Sequence, residues 1–241
     1  MLKCINADCL HAAGDLGGLL SQAKQQAFDA IELSVPAANV PPGTITEILS
    51  ADLPRQSTSP SVTIAALTAS QHDLFSLVRN DSDEQRQAAE FFQSLLAQAA
   101  TLAGETKVII TASGPARTDG PLACSYEDAF NALFFALKRL ADCAEEHGVD
   151  LLFENPAANL LLSPLETRDL IDQVNGPYFG FCFNPAHVHA DPLDWLTLMD
   201  RRLGALRLPH AWLDAPSAPD IHEKILSHLA AQNFLGPIIY A

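Results

Sequence analysis

Polar side chains follow two apolar, strand-like segments in the second half of the chain. The segment DLLFEN ends in Glu154 and Asn155, and the segment YFGFCF is followed by Asn184, with His187 three positions further on. Carboxylate and amide oxygens and imidazole nitrogens can bind a divalent cation, hydrogen-bond a hydroxylated ligand or transfer a proton. If the two segments are strands of one parallel sheet, these side chains predict a small polar site at their carboxyl ends.

Other segments of the same kind also carry polar residues at or near their ends. Glu32 lies in AIELSV, Arg207 lies in ALRLP with His210 three positions later, and Tyr240 ends PIIY. Further polar residues at such ends are Asn6, Asp8, Ser34, residues 70–72 and Ser113. The candidate site therefore draws on most of the strand-like segments.

Eight of these apolar segments alternate with longer segments of helical periodicity. They begin at Leu2, Ala30, Val62, Lys107, Asp150, Tyr178, Ala205 and Pro237. Their continuous apolar character is typical of parallel strands covered on both faces. The pattern predicts one domain over residues 1–241 with an α/β fold, a (β/α)8 TIM barrel, and the alternative is a doubly wound open sheet. The segment AGDLGG does not match a dinucleotide-binding loop, which favours the barrel.

Several helix boundaries are also marked. The pairs Ser82 with Gln85 and Ser163 with Glu166 match the capping-box pattern. Asp191 before a proline predicts another helix start, and Gly148 predicts a helix end. Residues 36–61, rich in Pro, Ser and Thr, predict a long loop with one short helix at about 46–53.

The sequence stops at Ala241, directly after the eighth strand-like segment. A complete (β/α)8 barrel has a helix after each strand. The barrel is therefore expected to lack its final outer helix. The flank between the last and first strands would then be covered by a partner subunit, as in a homodimer, or left incomplete.

The composition narrows the classes of partner. The formal charge of −15, from 29 acidic and 14 basic residues, disfavours nucleic acid and anionic membrane surfaces. No segment has the roughly 20 apolar residues of a membrane span. Five cysteines without CxxC spacing, in apolar surroundings, indicate reduced thiols and a cytoplasmic protein. A small polar molecule is the expected ligand.

Two motifs carry a resemblance to a known family. The run LKRLADCAEEHGVDLLFENPA and the run GPYFGFCFNPAHVHADPLDW are similar to the central half of the xylose isomerase-like TIM barrels. That superfamily contains sugar and sugar-phosphate isomerases and epimerases and the AP endonuclease barrels. FDAIELSV and the helix after residue 81 resemble its second strand and third helix. The resemblance implies a sugar or sugar-phosphate isomerase or epimerase acting by proton abstraction next to a carbonyl.

The resemblance also implies a ligand set for a divalent metal ion, Mn²⁺, Mg²⁺ or Zn²⁺. Glu154 matches the first family ligand, and His187 matches the histidine of the D-x-x-H motif. Asn184, Arg207 and Tyr240 stand where the family has Asp, His and Glu. A rebuilt set would contain Glu154, Asn184, His187 and His210, a mixture of nitrogen and oxygen ligands suited to Zn²⁺.

The residues leave alternatives open. Glu154 either binds a metal or forms an ion pair with Arg207 across the barrel mouth. With Glu154 and His187 as catalytic residues the protein is an isomerase or epimerase. The alternative is an impaired or metal-independent barrel that binds a sugar-like or anionic molecule. The substrate-binding candidates for both are Glu32, Asn184, Arg207, His210 and Tyr240. An AP-endonuclease-like nuclease ranks last, because the acidic chain offers no basic groove for DNA.

Overall fold

The computed structural model describes residues 1–10, 16–35, 62–69, 77–78, 82–102, 105–111, 124–156, 160–213 and 219–241. Eight parallel strands close into a barrel in sequence order. They are β1 (Leu2–Asn6), β2 (Ala30–Val35), β3 (Thr63–Ala69), β4 (Lys107–Thr111), β5 (Leu151–Glu154), β6 (Phe179–Phe183), β7 (Leu203–Leu208) and β8 (Pro237–Tyr240). The predicted barrel is confirmed. The open-sheet alternative was wrong, because β1 pairs with β8.

Helices surround the barrel. Those described are α1 (Leu16–Gln25), α2 (Ser82–Ala99), α3 (Tyr126–His147), α4 (Pro164–Val174), α5 (Pro192–Met199) and α6 (Pro219–Ala231). Ser163 and Asp191 cap α4 and α5 by accepting hydrogen bonds from the main-chain N–H of Leu165 and Leu193. Gly148 ends α3 with a φ of 63°, a left-handed conformation that glycine adopts without strain.

The side chain of Gln85, in the first turn of α2, contacts two other segments of the chain. Its amide nitrogen donates to the carbonyl oxygens of Leu77 and Ala132, at 3.1 Å each. The Ser82 side chain of the predicted capping box lies outside the described part of the chain. The sequence pattern also missed Ser125, which caps α3 by accepting from the N–H of Asp128. The short helix predicted near residues 46–53 lies outside the described residues.

A layer of mostly small apolar side chains fills the barrel interior. Its buried members are Cys4, Ala30, Ala65, Ala66, Ile109, Leu152, Cys182, Ala205 and Ile239. Gly204 leaves room for Leu152, because a Cβ at Gly204 would lie 2.4 Å from the Leu152 Cδ2. Alternate residues of a strand share a face, so residues two positions further along a strand lie in the next layer toward the carboxyl ends. That layer is polar.

Ala241 forms main-chain hydrogen bonds with the end of β7 and the residues after it. The N–H of Ala241 donates to the Leu208 carbonyl at 2.9 Å, and its carbonyl accepts from the N–H of His210 at 2.7 Å. Among the described helices none is both long and apolar enough to cross a lipid bilayer.

Candidate ligand-binding site

Five buried polar side chains meet at the carboxyl end of the barrel, where barrel proteins place their active sites. They come from β1, β2, β5, β7 and the residue after β6, and we call them the Arg207 network: Asn6, Glu32, Glu154, Asn184 and Arg207. Each lies two positions beyond an interior apolar residue of its own strand. The alternation of the strands therefore places all five above the apolar layer.

Arg207 joins the two carboxylates of the network. One terminal nitrogen, Nη1, donates to Oε2 of Glu154, and the other, Nη2, donates to Oε1 of Glu32. Glu32 and Glu154 are 0% and 1% exposed, and Arg207 is 9% exposed. The ion pair of Glu154 with Arg207, one of the two alternatives from the sequence, is therefore present, and it includes Glu32 as a second partner.

The charge of Arg207 is fixed by these neighbours. Burial acts to lower the pKa of the Arg207 guanidinium, but the charges of Glu154 and Glu32 raise it well above its ordinary value. The guanidinium therefore stays charged at any pH at which the protein is folded. With both carboxylates ionised, the network has a formal charge of −1.

Two asparagines hold the outer oxygens of the carboxylates. Asn6 Nδ2 donates to Glu32 Oε2 at 2.6 Å, and Asn184 Nδ2 donates to Glu154 Oε1 at 2.8 Å. The amide oxygen of each asparagine caps a short 3₁₀ helix, accepting from the N–H of Asp8 at 2.8 Å and of Ala186 at 3.1 Å. The caps orient both amide groups, because the capping oxygen determines where the donating nitrogen points.

His187 lies beside the Glu154 carboxylate. Its Nδ1 is 3.0 Å from the carbonyl oxygen of Asn155, which can only accept, so Nδ1 carries the proton and Nε2 is an acceptor. The side chain is 29% exposed, and Nδ1 is 3.7 Å from Glu154 Oε1. His187 is thus the partly exposed group of this region that can accept a proton or a hydrogen bond.

One donor of the network lacks an acceptor among the described residues. The Nε–H of Arg207 is buried and makes no hydrogen bond within that part of the chain. A buried N–H without a partner is costly, so it favours an acceptor oxygen supplied by a ligand or by water.

The described residues do not fit a divalent metal ion. Each of the four carboxylate oxygens of Glu32 and Glu154 already accepts a hydrogen bond, and Arg207 provides the positive charge between them. The described residues contain no group of three or more His, Cys, Asp or Glu side chains that could hold a metal. The predicted set of Glu154, Asn184, His187 and His210 is therefore not assembled. Asn184 gives its amide nitrogen to Glu154 and its oxygen to a helix cap.

The prediction from the sequence that Tyr240 belongs to the site was wrong. Its ring lies 6.3 Å from that of Phe28, and its hydroxyl is 3.4 Å from His222 Nε2. The interior residue of β8 is Ile239, so Tyr240 points to the outer layer under the helices. Burial raises the pKa of Tyr240, which keeps the phenol protonated.

The remaining candidates are brought together to different degrees. Glu32, Glu154, Asn184 and Arg207 are in direct contact, and His187 lies within hydrogen-bonding reach of Asn184. His210 begins a 3₁₀ helix after β7, where its main-chain N–H is bonded to Ala241. Ser113 and residues 70–72 lie outside the described residues.

Two residues with a clear structural role were absent from the predicted binding set. Asn6 completes the donors to Glu32, as described above. Asn155 pairs with the backbone of Asn184 in both directions, at 2.7 and 2.9 Å, and its own carbonyl holds His187. Both follow the signal that found Glu154, a polar residue at the end of a buried strand.

Comparison with known proteins identifies the family of this barrel. Residues 20–239 match the family model described as xylose isomerase-like TIM barrel. The chain belongs to this family. The xylose isomerase-like resemblance deduced from the sequence is therefore confirmed. No curated protein matches the sequence significantly.

Solved structures show the same fold. The 3-keto-D-glucoside 4-epimerase YcjR from E. coli superimposes with a TM-score of 0.81 at 12% identity, covering 100% of this chain and 91% of that one. D-psicose 3-epimerase from Clostridium cellulolyticum H10, solved with D-tagatose, gives 0.78 at 18% identity, with coverages of 100% and 84%. The IOLI protein, solved with a zinc atom, gives 0.69 at 17%, with coverages of 100% and 88%. At these identities the likeness shows the fold, and the site must be argued from its residues.

Proposed function

We propose that this xylose isomerase-like barrel binds a small, uncharged, sugar-like molecule at the Arg207 network. The observation that carries the proposal is the convergence of five buried polar side chains at the carboxyl end of the barrel, in a chain whose solved relatives include sugar epimerases. The ligand would meet the rim of this network and the ring of His187. The oxygens of the ligand would accept hydrogen bonds from the Arg207 Nε–H and from other donors at the mouth of the barrel.

The charge of the site argues against an anionic ligand. Both terminal nitrogens of Arg207 are already paired with carboxylates, so the guanidinium is not free to form a bidentate pair with a phosphate or carboxylate. The net charge of −1 would also repel such a group. Of the two ligand types expected from the sequence, a sugar-like molecule is therefore favoured over an anionic one.

Proton transfer is a second candidate activity, and His187 favours it. The side chain is partly exposed beside the network, so its acceptor Nε2 could take a proton from the carbon next to a sugar carbonyl and return it to the former carbonyl carbon, giving the aldose–ketose isomer. The Nε–H of Arg207, which has no acceptor among the described residues, would donate to the carbonyl oxygen as negative charge develops on it. This would be an isomerase reaction in which Glu154 holds Arg207, and an epimerase reaction would need a second group to deliver the proton to the opposite face of the same carbon.

Binding and turnover can be tested together. Chelator-treated protein is titrated with D-fructose, D-tagatose and D-allulose, and binding is followed by saturation-transfer NMR, while chromatography detects any conversion of a ketose to an aldose or to another ketose. We expect binding of at least one ketose that is lost in Glu154→Gln. Equal signals from the two proteins, or none from either with all three ketoses, would refute the proposal. Conversion that disappears in His187→Ala would establish the second activity.

A further inference from the structure

The two buried carboxylates of the Arg207 network need a positive charge between them. Glu32 and Glu154 come from opposite parts of the sequence and point into one buried region, where two carboxylates without a counter-charge would repel each other. In a barrel with acidic ligands a divalent ion usually supplies that charge. Here a side chain of the protein supplies it.

The hydrogen bonds leave little room for a competing ion. Arg207 occupies the inner oxygens of the two carboxylates, and Asn6 and Asn184 occupy the outer ones. A metal ion would have to displace these donors and lie next to a guanidinium whose pKa is raised, so the guanidinium could not become neutral to accommodate it. The interior apolar layer closes the space below the network.

We propose that Arg207 is a built-in cation that takes the place of a metal ion between Glu32 and Glu154, so that the barrel binds its ligand without a metal. Arg207 then determines specificity as well as stability, because it leaves a site with a single net negative charge that selects uncharged or cationic hydroxylated molecules. The inference rests on the proposed function for the identity of the ligand. The exclusion of metal can be tested without any sugar.

The test is a calorimetric titration of Mn²⁺ into chelator-treated wild-type protein and into Arg207→Ala. We expect no saturable binding to the wild type below about millimolar Mn²⁺, and binding at least about a hundredfold tighter in Arg207→Ala, where the two carboxylates are freed. Arg207→Lys keeps the positive charge and should resemble the wild type. The triple variant Arg207→Ala, Glu32→Gln, Glu154→Gln should lose the new binding.

Two results would overturn the inference. One is micromolar Mn²⁺ binding by the wild type that is abolished in Glu154→Gln, because a metal would then displace Arg207. The other is a folded Arg207→Ala that binds Mn²⁺ no better than the wild type. If Arg207→Ala does not fold by itself, methylguanidinium should restore its near-UV circular dichroism by filling the same position, and failure of this rescue counts against the inference. A failure of the ketose titration alone would affect only the proposed function.

Discussion

The two halves of the Arg207 network use the same local design. The first half is Cys4, Asn6 and Glu32 on β1 and β2, and the second is Cys182 on β6, Asn184 just after β6, and Glu154 on β5. In each half the pattern Cys-apolar-Asn lies at the carboxyl end of a strand, the asparagine caps a 3₁₀ helix, and its Nδ2 donates to a glutamate on a neighbouring strand. A buried thiol lies one layer below each asparagine.

The halves differ in what surrounds the carboxylate. Glu154 has the imidazole of His187 beside it, and Asn155 fixes that ring and the backbone of Asn184. In the other half the hydroxyl of Ser34 lies 3.3 Å from Asn6 Nδ2, and no imidazole of the described residues is bonded to Glu32. One design therefore serves two purposes. We infer that the Glu32 half holds the position of Arg207 and that the Glu154 half presents a titratable group to the ligand.

Removal of Arg207, which pairs with a glutamate of each half, should have the largest effect on the free energy of unfolding. Arg207→Ala leaves two buried carboxylates without a counter-charge, and we expect the free energy of unfolding to fall by about 3–5 kcal/mol. Urea denaturation followed by circular dichroism measures it. The matched control is Arg202→Ala, which breaks a more exposed pair with Asp172 and should cost about 1 kcal/mol or less. Equal losses in the two variants would contradict a special role for Arg207.

Removal of the asparagines compares the halves directly. Asn6→Ala and Asn184→Ala each leave a buried carboxylate oxygen short of a donor and remove a helix cap, so each should lower the free energy of unfolding by about 1–3 kcal/mol. Urea denaturation checks both. If the halves are equivalent in stability, the two losses agree within experimental error. A loss confined to Asn184→Ala would mean that the first half contributes little to holding Arg207.

The two buried thiols give a smaller, pH-dependent effect. Burial raises the pKa of Cys4 and Cys182, and Glu32 and Glu154 respectively raise it further. The folded protein keeps both thiols protonated, while thiols of the unfolded chain ionise above about pH 8.5. Stability is therefore lost as the pH rises, by up to about 1.4 kcal/mol per pH unit for each thiol.

This loss can be measured from urea midpoints at pH 7.5 and pH 9.5. Cys4→Ala and Cys182→Ala should each show a smaller alkaline loss than the wild type, and by similar amounts. An alkaline loss unchanged in both variants would show that other groups cause it.

The substitutions with the smallest expected effect on stability, His187→Ala and Ser34→Ala, test whether the two halves differ in ligand binding. His187→Ala removes the hydrogen bond to the Asn155 carbonyl and the longer contact with Asn184, and we expect a cost of about 0.5–1.5 kcal/mol, while Ser34→Ala should cost less. Only His187→Ala should weaken ketose binding in the NMR titration. Equal weakening by both substitutions would remove the functional distinction between the halves.

Much of this was predictable from the sequence because the signals are local. Apolar segments of strand length predicted the barrel, and a polar residue at the end of each segment predicted Glu32, Glu154 and Asn184 as neighbours. The repeated Cys-apolar-Asn pattern could have added Asn6. The contacts of Gln85 could not be predicted, because its partners, Leu77 and Ala132, lie on other segments.

The sequence alone determined the family, the strand order and the residue types at the mouth of the barrel. It could not determine the direction of Tyr240, because PIIY is apolar throughout and buried on both faces, so no alternation marks the interior. Nor could it decide between a metal and an ion pair at Glu154. Arg207 lies 53 residues from Glu154 and 175 from Glu32, and only closure of the barrel brings the three together. The tertiary structure therefore decided which cation the carboxylates meet.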